Sequence, residues 1–270
     1  MQLKISHVTE YAYAQPVRYA LQRLRLTPQS SQLQTVHAWS TEVEGGAVEA
    51  RYVDHFGNVV ELVSASRDTE AIKVVASGLV ETNDKSGVSG PHRAYMPLWL
   101  YQRDTALTKP GKMIRELVRS IGKGEPLEQL HGLMGALNQT MAYVPGATQT
   151  QTIAEDALAA GEGVCQDHAQ AFAAAARVMG YPARYVSGYL MMEDTPDQAA
   201  SHAWAEAHVD GLGWVGFDIS NGISPDARYV RVATGRDYDE AAPVTGISYG
   251  AGEQTLHVDL EVEQQQANQQ

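Results

Sequence analysis

A chain of 270 residues is long enough for one large domain or two modest ones, and a hydrophobic fraction of 44% is ordinary for a protein with a packed core. The formal net charge of −12 disfavours nucleic acid and anionic membranes as partners, because both carry negative charge. No stretch approaches the roughly 20 apolar residues that a membrane-spanning helix needs. The N-terminus lacks the apolar run of a signal peptide, and a single cysteine cannot form an internal disulfide. We therefore predict a cytoplasmic protein.

The first third of the chain has the pattern of short β-strands. Apolar residues alternate from Leu3 onward, and turn residues separate the apolar segments. Glu44-Gly45-Gly46 lies between two such segments, 35–43 and 47–53, and predicts a β-hairpin. Strands at this spacing are typical of an antiparallel sandwich. We predict a β-rich N-terminal domain over residues 1–85, followed by a loop that ends near Pro91.

Helical periodicity then replaces the strand alternation. Four helices are predicted, over 109–121, 126–141, 152–160 and 164–179. Strands follow over 183–190, 201–209, 214–218 and 229–233, with a last strand over 255–262. Helices followed by strands favour an α+β fold, in which the helices pack on an antiparallel sheet. We predict such a core over residues 86–262 and a flexible polar tail over 263–270.

The only cysteine, Cys165, lies where the fourth predicted helix begins, after Gly161 and Gly163. A cysteine attacks as its thiolate, and the unpaired N–H groups of a helix N-terminus favour an anion. The two glycines would leave room for the backbone of a substrate. A free cysteine is also often a small core residue, so the position alone leaves both packing and nucleophilic chemistry open.

A nucleophile needs a base, and the base needs a group that orients it. His202 opens one predicted strand and Asp218 ends the next, with a turn at 211–213 between them. A hairpin of this length would bring both side chains near one edge of the sheet, against which the Cys165 helix would pack. A histidine on an edge strand and an aspartate in a turn explain each residue alone. Their joint placement after Cys165 favours nucleophile, base and orienting carboxylate.

Four motifs in this order resemble the bacterial transglutaminase-like superfamily, over about residues 140–240. They are Gly163-Val164-Cys165-Gln166-Asp167-His168-Ala169, Gly180-Tyr181-Pro182-Ala183-Arg184-Tyr185, His202-Ala203-Trp204-Ala205-Glu206 and Gly213-Trp214-Val215-Gly216-Phe217-Asp218. The segments from His7 to Tyr13 and from Asp54 to Asn58 look like the β-rich N-terminal domain that accompanies this core in many bacterial members. The resemblance implies a papain-like fold and a catalytic triad of Cys165, His202 and Asp218.

The chain departs from the family pattern at two positions. The family often has Asp-Pro-Thr-Asn-Gly where this chain has Asp218-Ile219-Ser220-Asn221-Gly222, and the missing proline predicts a less constrained turn. Papain-like proteases place an oxyanion-binding glutamine six residues before the cysteine, a position that Ala159 occupies here. A different second donor is therefore expected.

The backbone N–H of Cys165 can supply one oxyanion donor, and the side chain of Tyr143 or Gln149 is a candidate for the second. Tyr143 can also be read as a packed turn aromatic. Gly163 and Trp204 complete the candidate substrate residues, because Gly163 precedes the nucleophile and Trp204 shares a strand face with His202. Packing alone would also explain Trp204.

A zinc site is the alternative use of these side chains. Cys165 and His168 lie three residues apart on one helix, and His202 and His208 lie on one strand face. The two histidines on the strand are about 20 Å apart at about 3.3 Å per residue, which is too far for one ion. We therefore predict no metal and no cofactor.

The sequence thus predicts a cysteine-dependent amide hydrolase that forms an acyl-thioester on Cys165. The substrate would be a peptide or an isopeptide, the latter made by a partner ligase. Two alternatives stay open: a transglutaminase that passes the acyl group to an amine, and a peptide-binding module that keeps the fold without catalysis. No motif decides between hydrolysis and transfer, and none predicts the oligomeric state.

Overall fold

A computed structural model describes residues 1–192, 197–198, 200–249 and 254–265. The strands are β1 (Gln2–Val17), β2 (Tyr19–Thr27), β3 (Gln34–Glu44), β4 (Gly46–Val53), β5 (Val59–Ala65), β6 (Thr69–Thr82), β7 (Val88–Gly90), β8 (Ala142–Tyr143), β9 (Glu162–Gly163), β10 (Ala183–Leu190), β11 (Asp197–Gln198), β12 (His202–Val209), β13 (Gly213–Phe217), β14 (Tyr229–Gly235), β15 (Val244–Tyr249) and β16 (Gln254–Gln264). The α-helices are α1 (Lys112–Ser120), α2 (Pro126–Thr140), α3 (Ala154–Ala160), α4 (Cys165–Val178) and α5 (Tyr238–Ala241), and a 3₁₀-helix spans Leu98–Gln102. None of the described helices is long and apolar enough to cross a bilayer.

Two antiparallel sheets form the N-terminal sandwich. One has the order β11-β16-β1-β6-β3 and the other β15-β2-β5-β4. Alternate residues of these strands face inward, as their period of two requires, and bury a shared core that includes Leu24, Val63, Ile72 and Val74.

The segment Glu44-Gly45-Gly46 does not form the predicted hairpin. β3 pairs with β6 in one sheet, whereas β4 pairs with β5 in the other. Gly45 has a φ of 72°, which lets the chain turn sharply and change sheets at this point. The strands were predicted by their local pattern, but a glycine turn is compatible with either a hairpin or a crossing between sheets.

The last two strands belong to the N-terminal sheets and not to the core, which corrects the predicted core of 86–262 at its C-terminal end. β16 pairs with β1 along its length, and β15 pairs with β2. Leu260 and Val262 are buried against Leu3 and Ile5, which accounts for the pairing. Glu263 and Gln264, predicted as tail, continue β16. Residues 266–270 of that predicted tail lie outside the described residues.

The core is a five-stranded antiparallel sheet with helices packed on one face. Its order is β14-β10-β12-β13-β7, so that β7, which lies in the loop predicted to end near Pro91, forms one edge. α4 lies at the centre, and every residue from Asp167 to Arg177 is buried. Its alanines meet the alanines of β12, including Ala203 and Ala205, and these small side chains allow helix and sheet to approach closely. The predicted α+β fold is confirmed.

The opposite face of this sheet packs against the sandwich. The side-chain amide of Gln34 both donates to the carbonyl of Arg231 and accepts from its N–H, each at 2.8 Å. Asn58 makes the same paired contact with Thr234, also at 2.8 Å for each bond. Two side chains of the sandwich thus bind to the backbone of β14 and hold the two parts of the chain together.

Candidate active site

Cys165 is the first residue of α4 and is half-buried. Asp167, in the first helical turn, is buried, and its Oδ2 accepts hydrogen bonds from the N–H of Val164 at 2.8 Å and from Thr148 Oγ1 at 2.6 Å. A carboxylate at this position also interacts favourably with the helix dipole. The turn that carries the thiol is therefore held from both the helix and the preceding loop.

Gly163 is needed at its position because of Asp167. A Cβ atom on Gly163 would lie 2.7 Å from the Cβ of Asp167, which is closer than two carbon atoms can approach. Gly163 pairs with Tyr143 in the short parallel β8–β9 ladder, and its carbonyl accepts from the N–H of Val144 at 2.9 Å. The space that this glycine leaves is thus filled by the side chain that caps α4.

His202 connects the thiol to the carboxylate of Asp218. Its Nε2 is 2.6 Å from Asp218 Oδ2, and Cys165 is close enough to the imidazole to influence its pKa. Because Asp218 takes Nε2, Nδ1 is the ring nitrogen left for the thiol. Burial disfavours the charged imidazole, but the hydrogen bond to Asp218 and the interaction with Cys165 outweigh it and raise the pKa of His202 to about 10. The ring is therefore an imidazolium near neutral pH.

Asp218 is enclosed by hydrogen-bond donors. The side chain is fully buried, and Oδ2 accepts from Tyr229 Oη and from Asn221 Nδ2, each at 2.7 Å. Oδ1 accepts from Ser220 Oγ at 2.7 Å. Burial would raise the pKa of this carboxyl, but the bonds from His202, Asn221 and Tyr229 hold it well below its usual range. The carboxylate can therefore stay ionised beside His202.

The turn after Asp218 is closed without the family proline. The N–H of Asp218 donates to the carbonyl of Ile223 at 2.8 Å, and the N–H of Ile223 donates back to Asp218 at 3.1 Å. Gly222 has a φ of 67°, which this tight turn requires. The backbone pairing, together with the bonds from Ser220 and Asn221, constrains the loop that the sequence predicted to be less constrained.

The other predicted site residues differ in how they relate to this cluster. Trp204 is buried and its ring is stacked near that of His202, with 6.4 Å between centroids and 28° between planes. Tyr143 is 54% exposed, and burial followed by the nearby charges of Cys165 and Asp218 raises its pKa. Gln149 is exposed, and its backbone N–H donates to Thr152 Oγ1 at 2.9 Å. Among the described residues, no hydrogen bond connects its side chain to the cluster.

Several residues of the site were not predicted from the sequence as functional: Thr148, Asp167, Ser220, Asn221 and Tyr229. Asp167, Ser220 and Asn221 lie close in sequence to predicted residues, so a systematic search for capping and turn side chains would have found them. Tyr229 gives no such signal, because it comes from β14, which is separated from β12 by β10 in the sheet. Gly188, on β10, leaves space beneath the ring of Trp204, which meets Tyr229 edge to face at 5.5 Å.

The residues of the zinc alternative are engaged in other contacts. His168 Nδ1 is 2.9 Å from the carbonyl of Val164, and its Nε2 is 3.0 Å from the carbonyl of Met141. The ring of His208 meets that of Trp214 edge to face at 5.4 Å. No group of three or more potential ligand side chains was found within the described parts of the chain.

Comparison with known proteins agrees with this fold. The structure superposes with a TM-score of 0.77 on a Cytophaga hutchinsonii protein described as "a Putative Cysteine Protease", at 22% identity and over 99% of this chain and 92% of the other. Residues 3–81 match the family model of the bacterial transglutaminase-like N-terminal region, and residues 115–219 match that of the transglutaminase-like superfamily. The chain belongs to the transglutaminase-like superfamily, which confirms the resemblance of its motifs.

Two mycobacterial relatives match nearly the whole length of the chain in sequence. A Mycobacterium leprae (strain TN) protein is 30% identical over 274 residues, which cover 96% of this chain and 98% of the relative. A Mycobacterium tuberculosis (strain ATCC 25618 / H37Rv) protein is 28% identical over 292 residues, which cover 96% and 91%. Both are described as uncharacterized, so they support the family and add nothing about the reaction.

Proposed function

We propose that this protein is a cysteine-dependent amide hydrolase that cleaves peptide or isopeptide bonds through an acyl-thioester on Cys165. The observation that carries the proposal is the contact between His202 and Asp218: Nε2 of the imidazole is 2.6 Å from the buried carboxylate, and Cys165 is close enough to the ring to raise its pKa. Nucleophile, base and orienting group therefore stand in the order that covalent catalysis requires.

In the first half of the reaction, Sγ of Cys165 forms a bond to the amide carbonyl carbon, and the thiol proton resides on His202 Nδ1. The C–N bond of the tetrahedral intermediate then breaks, and His202 returns the proton to the departing amine. The products are a free amine and an acyl-thioester on Cys165. Asp218 holds the imidazole in orientation and stabilises its charged form without taking the proton.

In the second half, water attacks the thioester carbonyl while His202 Nδ1 accepts a proton from it. The C–S bond breaks, the proton goes to the sulfur, and a carboxylic acid leaves. If an amine attacks in place of water, the product is a new amide and the protein is a transferase. Hydrolysis and transfer thus use the same residues and differ in the nucleophile of this second step.

The negative charge on the oxygen of the tetrahedral intermediate needs donors. The backbone N–H of Cys165 is one of the first N–H groups of α4, which have no partner within the helix. Tyr143 is our candidate for the second donor, because it is part-exposed and close enough for the charge of Cys165 to raise its pKa. Gln149 has no comparable link to the cluster among the described residues.

The test is to incubate the protein with a mixture of peptides and a primary amine and to analyse the products by mass spectrometry. New peptide termini would demonstrate hydrolysis, and an added amine mass would demonstrate transfer. The Cys165→Ala variant is the control for contaminating peptidases. Products that are equally abundant with Cys165→Ala, or no products at all, would contradict the proposal and favour a binding module.

A further inference from the structure

A cavity of about 470 Å³ lies between the N-terminal sandwich and the face of the core sheet that lacks helices. Its walls come from the loops before β3 and after β4, from β10, β13 and β14, and from β7 and the segment that follows it. Cys165, His202 and Asp218 do not line it. Its volume is in the range of pockets that bind small molecules, which is roughly 300–1,000 Å³.

The lining is positively charged. Three arginines, Arg93, Arg184 and Arg231, line the cavity, and no aspartate or glutamate does among the residues that the structure describes. Glu206 lies behind this wall and pairs with Arg184, whose Nε is 2.6 Å from Oε2. The Nε of Arg231 is 3.9 Å from Oε1 of the same carboxylate. One carboxylate thus faces two guanidinium groups, and Arg93 adds a third positive charge.

Arg184 is a fixed part of this wall. It is buried, and its guanidinium lies 4.0 Å from the centre of the Trp214 ring, an arrangement that favours a cation. Burial lowers its pKa to about 10 despite the neighbouring Glu206, so the group remains charged near neutral pH. Arg184 therefore contributes a permanent positive charge at the base of the cavity.

Arg231 and Arg93 are available to a ligand. The side chain of Arg231 is 24% exposed, and its only carboxylate within 4 Å in the described chain is Glu206, which is already bonded to Arg184 and to Ser89 Oγ. Arg93 is exposed, and its guanidinium makes no ion pair or hydrogen bond with any residue whose placement is described. Both groups carry several unused N–H donors.

The neutral polar side chains of the cavity are mostly engaged already. Gln34 and Asn58 use their amides on the backbone of β14, and Gln32 Nε2 donates to the carbonyl of Val88 at 2.9 Å. The groups left to meet a ligand are therefore the guanidiniums, with the aromatic rings of Phe56 and Trp214 nearby. Guanidinium groups match carboxylate and phosphate oxygens in geometry and charge.

We propose that this cavity is a binding site for a small organic anion that carries a carboxylate or phosphate group. Arg231 and Arg93 contact the anionic oxygens, and Arg184 supplies the charge beneath them. The proposal does not depend on the amidase activity, because none of the three residues Cys165, His202 and Asp218 lines the cavity.

Isothermal titration calorimetry on the intact protein tests the site, with succinate and inorganic phosphate as probes at constant ionic strength and succinamide as the uncharged control. We expect saturable binding of succinate, phosphate or both, and none of succinamide. Binding of only one anion would identify the class of ligand. Absence of binding by both anions at millimolar concentration would overturn the proposal.

Substitutions then locate the site. Arg231→Gln and Arg93→Gln should each weaken binding about tenfold, because each removes a charge-assisted contact. Arg67→Gln removes an exposed arginine on the loop before β6 and should leave the affinity unchanged. Equal weakening by Arg67→Gln, or no weakening by the two cavity variants, would overturn the proposal. Thermal unfolding curves without ligand check that each variant is folded. If Arg231→Gln does not fold, the affinity of Arg93→Gln for the anions tests the proposal on its own.

Discussion

The two faces of the core sheet carry different kinds of side chain: small apolar ones on the face that packs against the helices, and aromatic and charged ones on the other. On β12, Ala203, Ala205 and Ala207 face the helices, whereas His202, Trp204 and Glu206 alternate with them and face the other way. The alanines let α4 lie close to the sheet, so that Cys165 comes within reach of His202. The ring of Trp204 is stacked near that of His202, and Glu206 continues this face into an ion-pair network with Arg184 and Arg231. One strand thus places the helix with one face and supports the imidazole with the other.

The two faces should also respond differently to substitution. The stability of the face that packs against the helices depends on side-chain volume, because close-packed small side chains leave no room for added atoms. The stability of the opposite, charged face, which carries Arg184, Glu206 and Arg231, depends on ion pairing. A buried charge that loses its partner is strongly destabilising. Four substitutions compare the faces, in decreasing order of expected effect.

The largest effect is expected for His202→Ala, which removes the base. Amide hydrolysis should fall about 10²- to 10⁴-fold, the range that a positioned general base contributes. His208→Ala is the matched control, because both side chains lie on β12 and are 12% and 13% exposed, respectively. Rates of peptide cleavage measured on both variants would refute the role of His202 if the two fell equally.

Arg184→Ala should be the most destabilising change on the charged face. It leaves the buried carboxylate of Glu206 without its closest partner, which costs about 3–5 kcal/mol. Urea unfolding gives the free energy of unfolding. Arg184→Met combined with Glu206→Leu should regain most of this loss, because it removes both charges together. If the double variant were as unstable as the single one, packing and not charge pairing would explain the effect.

On the helix-packed face, Ala205→Leu should lower the free energy of unfolding by about 1–3 kcal/mol through overpacking. It should also lower activity, because α4 must move away from the strand that carries His202. Ala47→Leu, on the exposed strand β4, is the control for the change of residue itself. Retained activity in a destabilised Ala205→Leu protein would mean that the approach of α4 does not set the position of Cys165.

Tyr229→Phe is expected to have the smallest effect. It removes one of the hydrogen bonds to Asp218 and should cost about 0.5–1.5 kcal/mol of stability. Because Asn221, Ser220 and His202 still bind the carboxylate, turnover should fall only severalfold, with kcat affected more than KM. A loss as large as that of His202→Ala would show that Tyr229 takes part in the reaction directly.

The sequence was sufficient for the parts of the site that lie at the ends of locally predictable elements. Cys165 begins a helix with a clear apolar period, and His202 and Asp218 bound strands with clear alternation. The family and the α+β fold, both confirmed, rest on those same motifs. The catalytic roles of the three residues remain predictions.

Features that depend on pairing between distant segments could not be read from the sequence. The separation of β3 and β4 into two sheets, the return of β16 to β1 and the bond from Tyr229 to Asp218 are set by burial of a shared core. Local alternation predicts that a strand exists but does not identify its partner. The charged face was missed for the same reason, since Arg184, Glu206 and Arg231 come from three different strands.

The central claim is that Cys165 is a nucleophile paired with a charged His202, and the rate of iodoacetamide labelling of Cys165 as a function of pH tests it most directly. With the pKa of His202 at about 10, the imidazolium persists beside the sulfur through neutral pH. Because an imidazolium stabilises a nearby thiolate, we expect faster labelling at neutral pH in the native protein than in His202→Ala, with a difference that narrows as the pH approaches about 10. In His202→Ala the labelling rate should follow that of a free thiol and rise with pH, with a midpoint at about pH 8.5. Identical profiles in the two proteins, both with that ordinary midpoint, would contradict the account.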